Sequence, residues 1–168
     1  YAEIPYEVVY DDEIIEGLLP KYDWLHLHHE DFTGQYGKFY AHYKNVAWYK
    51  EQVRYNEETA SSLGYNKVSQ LKLAVAKKIK DFTFGGGFLF AMCSGTDALD
   101  IALAAEGLDI CESMFDGDGT TPNYNSQLDF SKSFAFKDYN LKTNPMEYEF
   151  STIDATPSHV KTPKKIDN

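Results

Sequence analysis

Cysteine is scarce in this 168-residue chain: Cys93 and Cys111 are the only two. Two cysteines exclude a disulfide-stapled scaffold, and their spacing excludes a four-cysteine zinc site. A single mutual bond in an oxidising compartment stays open. Long apolar runs are missing too, and none reaches the roughly 20 residues that a membrane-crossing helix needs, so no membrane-spanning segment is expected. Positive charge is outweighed, with 16 Lys and Arg against 26 Asp and Glu and a net charge of -10. Such a surface repels phosphate backbones and anionic headgroups, which excludes nucleic acid as an expected partner. An initiator Met is absent at Tyr1, and no signal peptide is visible, so processing or an upstream portion is expected.

What is present suits one globular domain. Hydrophobic residues make up 43% of the chain, enough for a sizeable core at this length. Residues 1–155 read as that domain and residues 156–168 as a polar, irregular tail. The β-branched and aromatic run over residues 4–10 predicts a strand, and residues 22–28, with Trp24, Leu25 and Leu27, predict a second one covered on both faces. Tyr36, Tyr40, Tyr43, Tyr49 and Tyr55 punctuate the next stretch. They fit either a half-buried flank of the core or an interface.

Val46, Tyr49, Val53, Ala60 and Leu63 recur at helical spacing up to Gly64. A second helix is predicted from an N-cap at Asn66 or Ser69, with Val68, Leu71, Val75, Ile79 and Phe82 along one stripe. Then follow Gly85-Gly86-Gly87, the apolar residues 88–92, the turn Cys93-Ser94-Gly95-Thr96, and a helix over residues 97–106 closed by Gly107. Helix, glycine turn, buried strand, tight turn and helix is the order of a parallel-sheet unit. Residues 133–141 and 147–153 predict two further strands. The expected fold class is therefore α/β, a doubly wound and mainly parallel sheet of the flavodoxin-like kind, incomplete in this chain.

Ligands of such sheets sit at the carboxyl ends of the strands, where Cys93 and the His26-Leu27-His28-His29 cluster emerge. His26 and His28 share one face of a strand, and together with the Glu30 carboxylate they form a candidate divalent-metal set. No other cofactor is indicated. Asp116-Gly117-Asp118 opens like a calcium loop, but Thr121 and Gln127 stand where such a loop needs Gly and Glu, so a solvated acidic loop is expected.

The blocks YDWLHLHHEDFTGQYGKFY (residues 22–40), LKLAVAKKIKDF (71–82), GGGFLFAMCSGTDALDIALAAEGLDICESMFDGD (85–118) and FAFKDYNL (134–141) resemble a Bacteroidetes family labelled asparagine synthetase B. Its members resemble class I glutamine amidotransferase-like and trehalose-utilisation-type domains and carry an export signal. The resemblance implies a bacterial cell-envelope location, other envelope proteins as partners, and flanking regions beyond this chain. It also sets Ala91-Met92-Cys93-Ser94-Gly95 where amidotransferase-like domains place a G-x-C-x-G nucleophile turn. The label itself is not matched residue by residue. Tyr1 stands where a glutamine-using synthetase needs cysteine, and Ser94-Gly95-Thr96-Asp97 matches only part of an S-G-G-x-D-S nucleotide loop.

Two functions follow as expectations. One is a non-catalytic binding or structural component of an envelope assembly. The other is a cysteine-dependent amidohydrolase or amidotransferase in which Cys93 is the nucleophile and its partners lie outside this segment. The only histidine after Cys93 is His159, in the polar tail, and it fits no base motif.

Overall fold

The computed structural model describes residues 3–153. Its centre is a two-stranded parallel sheet, β1 (Trp24–His28) beside β2 (Phe88–Met92), in the register Trp24 to Phe88 through His28 to Met92. The chain is thus α/β. Between the strands run α2 (Tyr40–Tyr43), α3 (Ala47–Ser62) and α4 (Val68–Phe84), the long crossover that parallel pairing demands. A short α1 (Asp11–Ile15) precedes β1, and α5 (Ser94–Ala104) and α6 (Ser113–Asp116) follow β2.

The stripe Val68, Leu71, Val75, Ile79 and Phe82 is buried along α4, as its 3.6-residue spacing dictates. It meets Leu25 and Leu27 of β1, Ile14 of α1, and Ala98, Leu99 and Ala102 of α5 in the main core. Lys72 of α4 reaches Asp11 at 2.6 Å and fastens α1 alongside. The start of α4 differs from expectation: Lys67 is the N-cap, and no side chain caps it. Instead, the Gln70 side chain accepts from the Asn66 N–H at 3.2 Å.

Three expected strands are absent. Residues 4–10 carry no ladder, and Ile4, Tyr6, Val8 and Tyr10 are exposed. A strand needs a neighbour for its N–H and C=O groups, and the described residues offer this segment none. Residues 133–141 and 147–153 form loops and turns joined by one isolated antiparallel bridge, Leu141 to Ser151. Non-local anchoring replaces a ladder there. Asp100, buried within α5, accepts hydrogen bonds from the N–H groups of Phe134 (2.6 Å), Ala135 (2.8 Å) and Phe136 (2.8 Å). Beneath them Ile101, Ala104, Ile110, Tyr139, Leu141 and Phe150 form a second core.

The tyrosine-rich stretch divides. Tyr36 and Tyr49 are buried, while Tyr43 and Tyr55 are exposed. Tyr36, Gly37 and Lys38 have φ of 51°, 72° and 59°, one left-handed turn in which two residues bear side chains. Asp31 holds this turn by accepting from the Gly37 N–H at 2.9 Å. The turn drives Lys38 inward, where its ammonium donates to the carbonyls of Lys142 and Asn144, each at 2.8 Å. The predicted tail over residues 156–168 lies outside the described residues.

Candidate functional site

Alternation along β1 buries Leu25 and Leu27 and turns Trp24, His26 and His28 outward. On β2, Phe88, Phe90 and Met92 also face out. Among the described residues, the sheet therefore has one face packed against helices and one left exposed, on which Trp24, Phe88, Phe90 and Met92 surround the two histidines. Parallel strands are ordinarily covered on both. Trp24 packs edge-on against Phe88 with ring centroids 5.7 Å apart, and His26 lies 5.2 Å from Phe90.

At the carboxyl end of β2 the chain turns in a single residue. Cys93 has φ 53° and ψ -136°, and α5 begins at once with Ser94, three residues earlier than its sequence pattern implies. Side chains bearing a Cβ seldom occupy this region, and holding one there costs on the order of 1–3 kcal/mol. The Cys93 thiol is free and exposed. Cys111 is free and buried, donating to the Thr33 carbonyl at 3.3 Å, so the two thiols do not form the single bond that their number permits. Burial, and then Asp31, Asp116 and Asp109, push the Cys111 thiol well above the ordinary thiol range, which keeps it protonated and inert.

Gly95, two residues beyond Cys93, is buried, and a Cβ there would stand 3.2 Å from Glu30 Oε2 and 3.3 Å from Leu27 Cβ. Glu30 is thus folded over the first turn of α5, on the Leu27 side of the sheet. Although solvent reaches the residue, its carboxyl group loses hydration there, and this raises its pKa. The N–H groups of Glu30 and His28 and the imidazoles of His28 and His26 pull the other way. The metal set expected from the sequence is therefore divided, with His26 at mid-strand and His28 at the strand end on the outer face and Glu30 on the inner one. The rings of His26 and His28 are 6.4 Å apart, and the His29 ring lies 4.0 Å from that of His28, tilted by 48°.

A second cluster escaped sequence reasoning. Among the described residues, ligand atoms of Asp109, Cys111 and Asp116 lie within 4.8 Å of one another. The resident cation is Lys67, whose ammonium is 2.5 Å from Asp109, 3.0 Å from Asp116, and also bonded to Asp118. Burial opposes its charge, but the hydrogen bonds to Asp109, Asp118 and Asp116 outweigh that and hold its pKa above the usual lysine value. The calcium-like loop is thereby a corner in which one lysine gathers three carboxyl groups.

Met92 was missed as well, because only the pairing of β1 with β2 puts it on the face of His26 and His28. Its sulfur lies 3.4 Å from His26 Nε2. Asp100 carried a weaker signal, a carboxylate inside the apolar run Ala98–Ala105. Compared with protein-family models, with curated proteins and with solved structures, the chain matches none.

Proposed function

We propose that this chain is a cysteine-dependent acyl-transfer domain in which Cys93 attacks an amide or ester carbonyl. We take the order β1, crossover helices, β2, turn and α5 as part of a doubly wound, amidotransferase-like α/β arrangement, in keeping with the family resemblance. The observation that carries the reading is the backbone of Cys93, φ 53° and ψ -136°, with the thiol in solvent. Glycine would adopt that conformation freely. A cysteine kept there at a cost in stability argues for work done by its sulfur, as at strand-to-helix nucleophile elbows.

The chemistry follows from the placement. The thiol yields its proton to a base, for which this chain offers His29, one residue past the pairing of His28 with Met92. The sulfur forms a C–S bond with the carbonyl carbon, the developing oxyanion faces the positive N-terminal end of α5, and the C–N or C–O bond breaks as the leaving group takes the proton. Water then cleaves the thioester, giving a carboxylate and restoring the thiol. A cell-envelope setting belongs to the same proposal and rests on the family resemblance.

A second reading, a binding component of an envelope assembly, is favoured by the uncovered apolar face of Trp24, Phe88 and Phe90, 52%, 58% and 43% exposed. Iodoacetamide labelling separates the two. If Cys93 is a nucleophile, it is alkylated at pH 7 more than about tenfold faster than in the urea-unfolded chain, Cys111 stays unlabelled, and His29→Gln slows the reaction. Labelling of Cys93 no faster than in the unfolded chain refutes the nucleophile and leaves the binding role.

A further inference from the structure

We infer that the outer face of the sheet holds a soft-metal site for monovalent copper, formed by the imidazoles of His26 and His28 and the thioether of Met92. The site owes nothing to the reaction proposed for Cys93, since it uses none of that reaction's groups. Its foundation is register. Parallel pairing sets His26 beside Phe90 and His28 beside Met92, and strand alternation turns His26, His28 and Met92 to the same side.

On that side His26 Nε2 and Met92 Sδ stand 3.4 Å apart. Met92 is 41% exposed and both histidines are exposed, so close packing does not force the contact. With bonds of about 2.0 Å to imidazole nitrogen and 2.3 Å to sulfur at a tetrahedral angle, two ligands of one metal ion lie roughly 3.5 Å apart. The observed separation already matches. His28 is the next outward residue of the strand, its ring centroid 6.4 Å from that of His26, within reach of the same ion after a side-chain rotation.

The identity of the ion follows from the donors. Thioether sulfur with imidazole nitrogen is a soft set that selects Cu(I), whereas calcium, magnesium and manganese require oxygen. No residue of β1 or β2 is acidic. Glu30, the nearest carboxylate in sequence, is turned to the opposite side against Gly95. Phe90 borders the site with its ring, 5.2 Å from that of His26.

The test is anaerobic titration of the full chain with Cu(I) against bicinchoninate, with X-ray absorption on the loaded protein. The expected result is one Cu(I) per chain, with nitrogen near 2.0 Å and a sulfur near 2.3 Å. Met92→Leu should lower Cu(I) affinity more than about tenfold, because loss of even an outer partner of a metal ligand costs 10- to 100-fold. His26→Gln should do the same, while Cys93→Ser retains the ion. Failure to hold Cu(I) against the chelator overturns the inference. So does binding that survives Met92→Leu but is lost in Cys93→Ser, which would mark a thiolate site instead.

Discussion

Replacing Asp100 by Asn tests how the region beyond α5 is held. Asp100 is 2% exposed, and its two carboxylate oxygens receive three backbone N–H groups at 2.6–2.8 Å. The substitution removes the charge and turns an NH2 group toward N–H donors. Hydrogen bonds to a charged group are worth about 1.5–3 kcal/mol each, but three sharing one carboxylate are not additive, and the carboxylate had itself to be desolvated. The net expectation is a loss of about 3–4 kcal/mol, as for breaking a buried ionic contact from one side.

With a urea slope of about 2 kcal/mol/M for a chain of this size, the unfolding midpoint, followed by Trp24 and Trp48 fluorescence, should fall by roughly 1.5–2 M. Amide exchange at residues 134–136 should accelerate in step with it. A midpoint shift below about 0.5 M, with exchange at 134–136 unchanged, would refute the view that this carboxylate anchors the loop region.

Stability should rise between pH 8 and 9.5 through Lys38. Burial depresses its pKa from 10.5 to about 8, against the charges of Glu147, Asp31 and Glu149. The cost of burying the ammonium is therefore fully present below pH 8 and fades as pH climbs toward 10.5. Over this window the gain is about 2 kcal/mol. It is read as the difference from Lys38→Met, which cancels the opposite contribution of Cys111, and a zero difference would disprove it. Gly34→Ala places a Cβ 2.8 Å from Ser69 Cβ and 2.9 Å from its Cα at a φ of +85°. It should cost roughly 2–4 kcal/mol and lower Tm by about 5–15 °C; an unchanged Tm counts against the close packing. Cys93→Gly should raise Tm by about 2–4 °C by relieving the elbow, whereas a lower Tm would mean that the turn is unstrained.

Local pattern explains what was legible in the sequence. The stripe of α4 follows from spacing, β2 from a short apolar run after a glycine turn, and the turn at Cys93 from a strand run meeting a helix run. The expected burial of β2 fails, because Phe88, Phe90 and Met92 are exposed. The alternation in residues 4–10 is as good a strand pattern as that of β1, yet only β1 has a hydrogen-bonding neighbour. Residues 133–141 look strand-like because Phe134, Phe136 and Leu141 are apolar, while the fate of their N–H groups is decided by Asp100, more than 30 positions away. The His26 contact with Met92 likewise depends on register across 66 residues. Long-range partners of this kind leave no trace in a window of neighbouring residues.

The left-handed turn that buries Lys38 has a consequence for synthesis on the ribosome. The carbonyls that receive its ammonium belong to residues 104 and 106 positions later. At roughly 5–20 residues per second, they emerge about 5–20 s after it. Until then water must solvate the ammonium in their place. Its burial is a late event of biogenesis, timed by the arrival of Asn144.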